Sequence, residues 1–399
     1  MMKRIAWIDV LPALMTLGVI FAFSVDVPYG DDWDLVPILA RMNSGTLTLH
    51  DLAIPYASHE MIFSYALMGQ FAILTHWNTL LMRLVGFAIV WGAWLAIRPA
   101  AVRSGRLFTA AIVFFGFNQI LDFLWTWQVA LFMALFCVTW CLRLAVTTSL
   151  GNWILAVLLA VIGSLSHGAG ISVWPALFYL ALADKKVDFR LVLTLAGAVF
   201  TAGVYLFNHI SEDLPPFSWA MAPAFFLSCV GSPVMIFTGG LAALAGAVLI
   251  FLGCRDWREM GRLCQALWLT SLIFSLIVLE GRNRENPAFF GTDARYGTFA
   301  MLAWVAIVIG QPQNRRWIPL AILIACLLRD GDRLITMPAY KKKSETGLAG
   351  TWNHNEDRFV IMGPRLTRQQ FDERAALLHQ WHYSLYRQTL SPDKREEEH

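Results

Sequence analysis

The sequence predicts an all-α polytopic membrane protein: about eleven transmembrane helices with a large first extracytoplasmic loop that carries a surface helix. Three observations predict it. Of 399 residues, 57% are hydrophobic and only 15% charged, where a soluble domain is nearer a quarter charged. Long apolar runs recur along the chain, giving a mean hydropathy of +0.55, and they are continuous rather than alternating, which selects helices over a closed barrel. The 17 tryptophans fall largely near the ends of these runs, as an interfacial belt does.

Composition also excludes. A net charge of +3, without a basic stripe interleaved with aromatics, argues against nucleic acid as a partner. Cys137, Cys141, Cys229, Cys254, Cys264 and Cys326 lie mostly inside apolar runs and form no C-x-x-C pair, so they read as buried membrane residues and not as disulfides or metal ligands. The first apolar run follows Lys3 and Arg4 and lacks an A-x-A cleavage signature, which reads as an uncleaved first span.

The candidate spans are 5–25, 79–97, 107–121, 128–147, 151–166, 170–183, 190–209, 233–253, 263–280, 296–310 and 317–328. The run 59–75 is ambiguous, and charge resolves it. One alternate set of loops carries Arg98, Arg103, Arg106, Lys185, Lys186, Arg190, Arg255, Arg258, Arg262, Arg315 and Arg316; the other carries only Arg282, Arg284 and Arg295. The positive-inside rule puts the rich set, with Lys3 and Arg4, in the cytoplasm. Both conditions hold only if residues 59–75 lie at the interface as a surface helix, with Glu60, Ser64 and Thr75 on one face. Residues 26–78 then form the first extracytoplasmic loop of a transmembrane domain spanning residues 1–328. The charged tail, 329–399, falls on the same side. It contains a capping box, Thr367 with Gln370, and Phe371, Leu378, Trp381 and Leu385 at helical spacing predict an amphipathic helix to about residue 387.

This topology gathers polar residues on one face. The first loop offers Asp31, Asp32 and Asp34 in "YGDDWD", then His59 and Glu60. Later turns add Asp122, Trp127 and Gln128; His167 in "SHGAG"; His209, Glu212 and Asp213; and Arg282, Arg284, Glu285, Asp293, Arg295 and Tyr296. Each has a plain alternative. Aspartates after a helix cap turns, and Asp32 and Asp34 are equally candidate oxygen ligands for a divalent cation such as Mg, Mn or Ca. His59–Glu60 can simply start an interfacial helix. Trp127 and Gln128 can pack and cap, or stack on a sugar and bond its hydroxyls. His167 fits a structural corner. Arginines on the face that the charge rule leaves poor are tolerable if they hold an anionic group, or they can pair with Glu280 and Glu285.

The acidic pair just after the first span, the outer loop with surface helices and the late arginine resemble the GT-C glycosyltransferases, in particular bacterial members whose first loop reads W/Y-x-D-[DE]-W-D and is followed by an N-E-H-R-like stretch. "YGDDWD" (29–34) matches the first motif. "SHEMIF" (58–63) matches the second in part, with His59 before Glu60 and no arginine after. The resemblance covers residues 1–328. It implies an inner-membrane enzyme, N-terminus cytoplasmic and site extracytoplasmic, that moves a sugar from a polyprenyl-phosphate donor to a glycan, lipid or protein hydroxyl with inversion. Asp31 is then the general base, Asp32 its partner or a metal ligand, and Arg295, with Arg282 or Arg284, the stabiliser of the leaving phosphate. Asp34, His59, Glu60, Trp127, Gln128, His167 and Tyr296 are the remaining substrate-binding candidates. Two other classes compete: a transporter or flippase, for which "APAFFLSCVGSPVMIFTGG" offers a broken helix, and a membrane acyltransferase, for which His167 would be the catalytic histidine.

Overall fold

A computed structural model describes residues 8–57, 59–147, 149–183, 188–208, 215–234, 240–285, 294–352, 366–384 and 386. Among these the chain is helical without a strand; an isolated antiparallel bridge joins Tyr56 and His59. In order the helices are α1 (Val10–Phe23), α2 (Val36–Asn43), α3 (Leu49–Leu52), α4 (Ile62–Thr75), α5 (Thr79–Arg103), α6 (Leu107–Phe115), α7 (Ile120–Phe123), α8 (Val129–Ala145), α9 (Leu150–Ser164), α10 (Val173–Leu182), α11 (Phe189–Phe207), α12 (Ala222–Gly231), α13 (Gly240–Asp256), α14 (Arg262–Glu285), α15 (Ala294–Gly310), α16 (Trp317–Trp352) and α17 (Arg368–Gln380).

Four helical stretches among the described residues are long and apolar enough to cross a membrane: Thr79–Arg103, Thr126–Ala145, Phe189–Phe207 and Arg262–Arg284. Other expected spans form apolar helices of 10–17 residues. At 1.5 Å per residue, such a helix is shorter than the ~30 Å of a hydrocarbon core. Among the described residues, then, four helices meet the length and composition of a crossing, where the sequence predicts about eleven spans.

Hydrogen bonds show which helix ends lie together. Thr79, at the start of α5, donates through its N–H and Oγ1 to Asp26 Oδ1, each at 2.9 Å. Arg83, one turn on, donates to Val25 O (2.8 Å) and Leu124 O (2.9 Å). The end of α1, the start of α5 and the turn after α7 thus share one end of the bundle, called here the site end. Near its start α4 reaches the end of α9, where Ser64 Oγ donates to Ser166 O at 2.7 Å. It finishes four residues before Thr79. Both ends of α4 touch the site end, and the helix runs along it rather than through the bundle. Glu60 precedes this helix and does not share its face. The chain leaves α4 through His76 and Trp77, both left-handed with φ of 49° and 48°.

The arginine-rich turns collect at the opposite end. Asp9, fully buried, accepts from Arg98 (2.6 Å) and Trp94 (3.0 Å). The guanidinium of Arg106 donates to the carbonyls of Val308 (2.9 Å), Gln311 and Pro312 (3.0 Å). Asp256, also fully buried, pairs with Arg255 and Arg315.

Helix α16 begins beside that basic end and is continuous for 36 residues, about 54 Å. The boundary drawn at 328/329 falls inside it. Arg329 and Asp330, expected to open a solvated tail, are 1% and 9% exposed. Asp330 pairs with Arg329 and accepts Phe117 N–H at 2.9 Å, where the break between α6 and α7 leaves that donor without a helical partner. Near its far end α16 reaches the site end: Tyr340 lies 3.5 Å from Leu124 O and Lys341 Nζ 3.0 Å from Ala22 O.

The tail then docks on the first loop. Thr367 and Gln370 form the expected capping box. The helix they start, α17, ends at Gln380 and not near 387, because Trp381 takes the C-cap and the following His382 and Ser384 have φ of 53°, a left-handed backbone that cannot continue a helix. Phe371 packs against Trp33 with ring centroids 4.6 Å apart and planes tilted by 49°, both fully buried. Arg374 pairs with Asp34 at 2.6 Å and donates to Trp33 O at 2.9 Å. With Tyr65, Trp77 and Trp127 these side chains form an apolar cluster separate from the main core.

Candidate functional site at the site end

The turn at 29–34 is built from its own sequence. Gly30 has φ +56°, and a Cβ there would lie 3.3 Å from the Trp125 ring, which is a close approach that favours glycine. Trp125 Nε1 donates to Tyr29 O at 2.9 Å. Asp32 is 1% exposed. One of its oxygens accepts Tyr29 N–H (2.9 Å), the other Trp127 N–H (2.7 Å), and Thr126 adds a side-chain bond. Burial nevertheless pushes its carboxyl up to about 6, against the opposing pull of Thr126, Tyr29, Arg83 and Trp127. Asp32 therefore fastens the turn to the start of α8 and leaves the neighbouring Asp31 facing a cavity.

That cavity, of about 110 Å³, is lined by Asp31, Tyr56, His59, Trp127, Gln128, His167, Arg282, Arg295 and Tyr296. Its apolar floor is Leu131 of α8 with Phe274, Ile277 and Val278 of α14. The two imidazoles stack with centroids 4.5 Å apart and planes inclined by 30°. His167 Nδ1 accepts Ala169 N–H at 3.1 Å, which leaves Nε2 to carry the proton in the neutral ring. Gly168 brings the "SHGAG" corner onto His59, since a Cβ there would stand 2.5 Å from His59 Nδ1. Tyr56 packs edge-on against Trp127 at 4.7 Å, and the Arg295 guanidinium lies 5.4 Å from the Tyr296 ring.

Burial, reinforced by Arg282 and Arg295, lowers His59 to about 4. His167 is lowered well below the usual histidine range by burial, then by His59, Arg295 and Arg282. Both rings are consequently neutral near pH 7 and can donate an N–H without adding charge. Two guanidiniums and one carboxylate remain among the lining groups, a formal excess of one positive charge. Chemically, the set offers a carboxylate to take a proton, guanidiniums and imidazole N–H groups to hold an oxyanion, and aromatic faces beside an apolar floor.

Eight of the twelve residues singled out from sequence line this cavity; Asp32, Asp34, Glu60 and Arg284 do not. Asp34 is engaged by Arg374 of the tail. Asp32 is held by backbone donors and Asp34 by Arg374, and among the described residues no group of three or more His, Cys, Asp or Glu is placed to hold a metal. Glu60 is 1% exposed; its carboxylate accepts from Asn208 at 3.1 Å, and burial raises its pKa. Arg284 pairs with Glu280 one turn earlier, at 2.9 Å. Asp122 accepts from Thr298 at 2.6 Å and ties α7 to α15. His209, Glu212, Asp213, Asp293 and the side chain of Glu285 lie outside the described residues.

Sequence reasoning missed Tyr56 and the apolar floor. The floor had a signal: Phe274, Ile277, Val278 and Gly281 sit at i, i+3, i+4 and i+7, one helical face leading directly to Arg282. Tyr56 had none beyond its place three residues before His59. No protein family, curated protein or solved structure matches the chain significantly.

Proposed function

We propose that the chain is an integral membrane glycosyltransferase of the GT-C type, moving a sugar from a polyprenyl-phosphate donor to an extracytoplasmic hydroxyl. One observation carries this reading: Asp31 and the guanidinium side chains Arg282 and Arg295, 251 or more residues apart in sequence, line one cavity over an apolar floor. Asp31 takes the proton of the acceptor hydroxyl. The freed oxygen attacks the anomeric carbon, and the bond to the donor phosphate breaks with its electron pair leaving on the phosphate. Arg282 and Arg295 stabilise that charge, helped by N–H donation from the neutral imidazoles. Trp127, Tyr56 and Gln128 supply stacking and hydrogen bonding for the sugar. The apolar floor meets the first prenyl carbons, which accounts for a sugar-transferring site built among apolar helices. Asp32 holds the turn, and this reading gives it no part in proton transfer.

Purified protein offered a panel of undecaprenyl- and decaprenyl-phosphate sugars, with and without Mg, Mn or Ca, tests the reading. Release of polyprenyl phosphate that depends on an added acceptor supports it; inertness toward the whole panel refutes it.

A transport reading draws on one specific observation. The Arg329–Asp330 pair is buried beside the break between α6 and α7, and buried charge at a broken helix is a transporter's signature. Here, however, Asp330 satisfies the broken backbone itself. Flux of a lipid-linked sugar across proteoliposomes, lost in Arg329→Gln without any transfer chemistry, would favour transport.

A further inference from the structure

The opposite end of the bundle carries an open groove of about 540 Å³ between the α5–α6 turn and the start of α16. Arg103, Arg106 and Arg316 line it, Thr109 adds a hydroxyl, and Leu320 and Leu323 form its lower wall. No carboxylate is among its lining residues. Elsewhere at that end Arg98 is matched by Asp9, and both Arg255 and Arg315 by Asp256. The buried Arg106 is held by backbone carbonyls, which fix its position without cancelling its charge, and Arg316 is close enough to repel it. Like charges confined in this way are relieved by an anion placed between them.

The surroundings say what kind of anion. Trp317, next to Arg316, is 64% exposed, and Leu320, Ile324 and Leu327 continue below it as an exposed apolar strip, each about half exposed. A tryptophan at the head of such a strip marks the level of lipid headgroups, and basic pockets between helices at that level bind acidic lipid headgroups. We propose that this groove is a binding site for an anionic phospholipid: its phosphodiester sits among Arg103, Arg106 and Arg316, and its acyl chain lies along Leu320, Ile324 and Leu327. The proposal rests on insertion of these helices in a bilayer and not on the transferase reading, so either can fail alone.

The test is lipid retention by native mass spectrometry of the full-length protein, from mixed micelles containing phosphatidylglycerol or phosphatidylcholine. The wild-type chain retains a phosphatidylglycerol that Arg103→Gln/Arg316→Gln binds roughly 30-fold more weakly, from about 1 kcal/mol per basic residue. Arg103→Lys/Arg316→Lys recovers most of the affinity, and Arg143→Gln, a basic change outside the groove, leaves it unchanged. Circular dichroism of each variant confirms that the helices form. Equal retention by wild type and the Gln double variant overturns the proposal, as does equal retention of phosphatidylcholine. Glycerol phosphate and inorganic phosphate are the soluble arms: displacement of the lipid by either at equal concentration would assign the groove to a soluble phosphate and overturn the lipid.

Discussion

The two ends of the bundle use the same charged side chains to different effect. At the basic end, buried carboxylates are consumed by structure: Asp9 takes Arg98 and Trp94, and Asp256 takes Arg255 and Arg315. At the site end, Asp32 and Asp34 are consumed in the same way, by backbone N–H groups and by Arg374. Their neighbour Asp31 lines a cavity with two histidines and two arginines. Substitutions of these buried carboxylates at the basic end should therefore read out as lost stability, whereas those around the cavity should read out as lost chemistry.

A double substitution in the cavity sharpens that contrast. Arg282→Gln/Arg295→Gln removes both cationic donors from the cavity and should lower kcat/KM for the lipid donor by at least about 100-fold, since hydrogen bonds to charged groups are each worth about 1.5–3 kcal/mol. The helical circular dichroism should be retained. Unchanged donor kinetics would remove the phosphate role from these side chains.

Asp256→Asn is the complementary change. It leaves Arg255 and Arg315 without their shared carboxylate and should lower stability by roughly 2–4 kcal/mol, reduced from the fully buried case because both guanidiniums are about 30% exposed. At temperatures where the variant stays folded, its transfer rate per folded molecule should match wild type. A selective loss of transfer would break the distinction between the ends.

Gly168→Ala drives a Cβ into the His59 ring and should disturb the imidazole stack, destabilising by about 1–3 kcal/mol while raising donor KM. Intact kinetics together with intact stability would show that the stack matters to neither.

The histidines also give a signed pH response. An unfolded histidine binds a proton near 6.5, but folded His59 does so only near 4, so its contribution to stability falls as pH drops from 6.5 toward 4, by on the order of 3 kcal/mol in all. His59→Gln should flatten that decline in a thermal melt. Asp32 acts oppositely: its raised carboxyl favours the fold below about 3.8 and loses that advantage as pH rises through about 6. The smallest effect is expected for Arg374→Gln, about 1 kcal/mol for a partly exposed pair, detected as easier proteolysis of the tail.

Much of this contrast was legible in the sequence. The arginine count between alternate loops separated the two ends, because basic side chains cannot sit in the apolar middle. The capping box at Thr367 located α17, because capping depends only on neighbouring residues. What depended on three-dimensional pairing was not legible. Asp31, Asp32 and Asp34 are equivalent in sequence, and only the backbone donors of Tyr29 and Trp127 and the incoming Arg374 divide their roles. The 36-residue length of α16 was hidden because Arg329 and Asp330 read as solvated until Phe117 supplied a buried partner. The number of spans was not legible from apolar runs alone, because several of those runs form helices of 10–17 residues among the described residues.

The most direct test compares sugar transfer by Asp31→Asn and Asp34→Asn, each under saturating lipid donor. The account predicts a loss of about a thousandfold for Asp31→Asn with donor binding intact, and near-normal transfer for Asp34→Asn. Wild-type turnover by Asp31→Asn, or equal losses in the two variants, would contradict it.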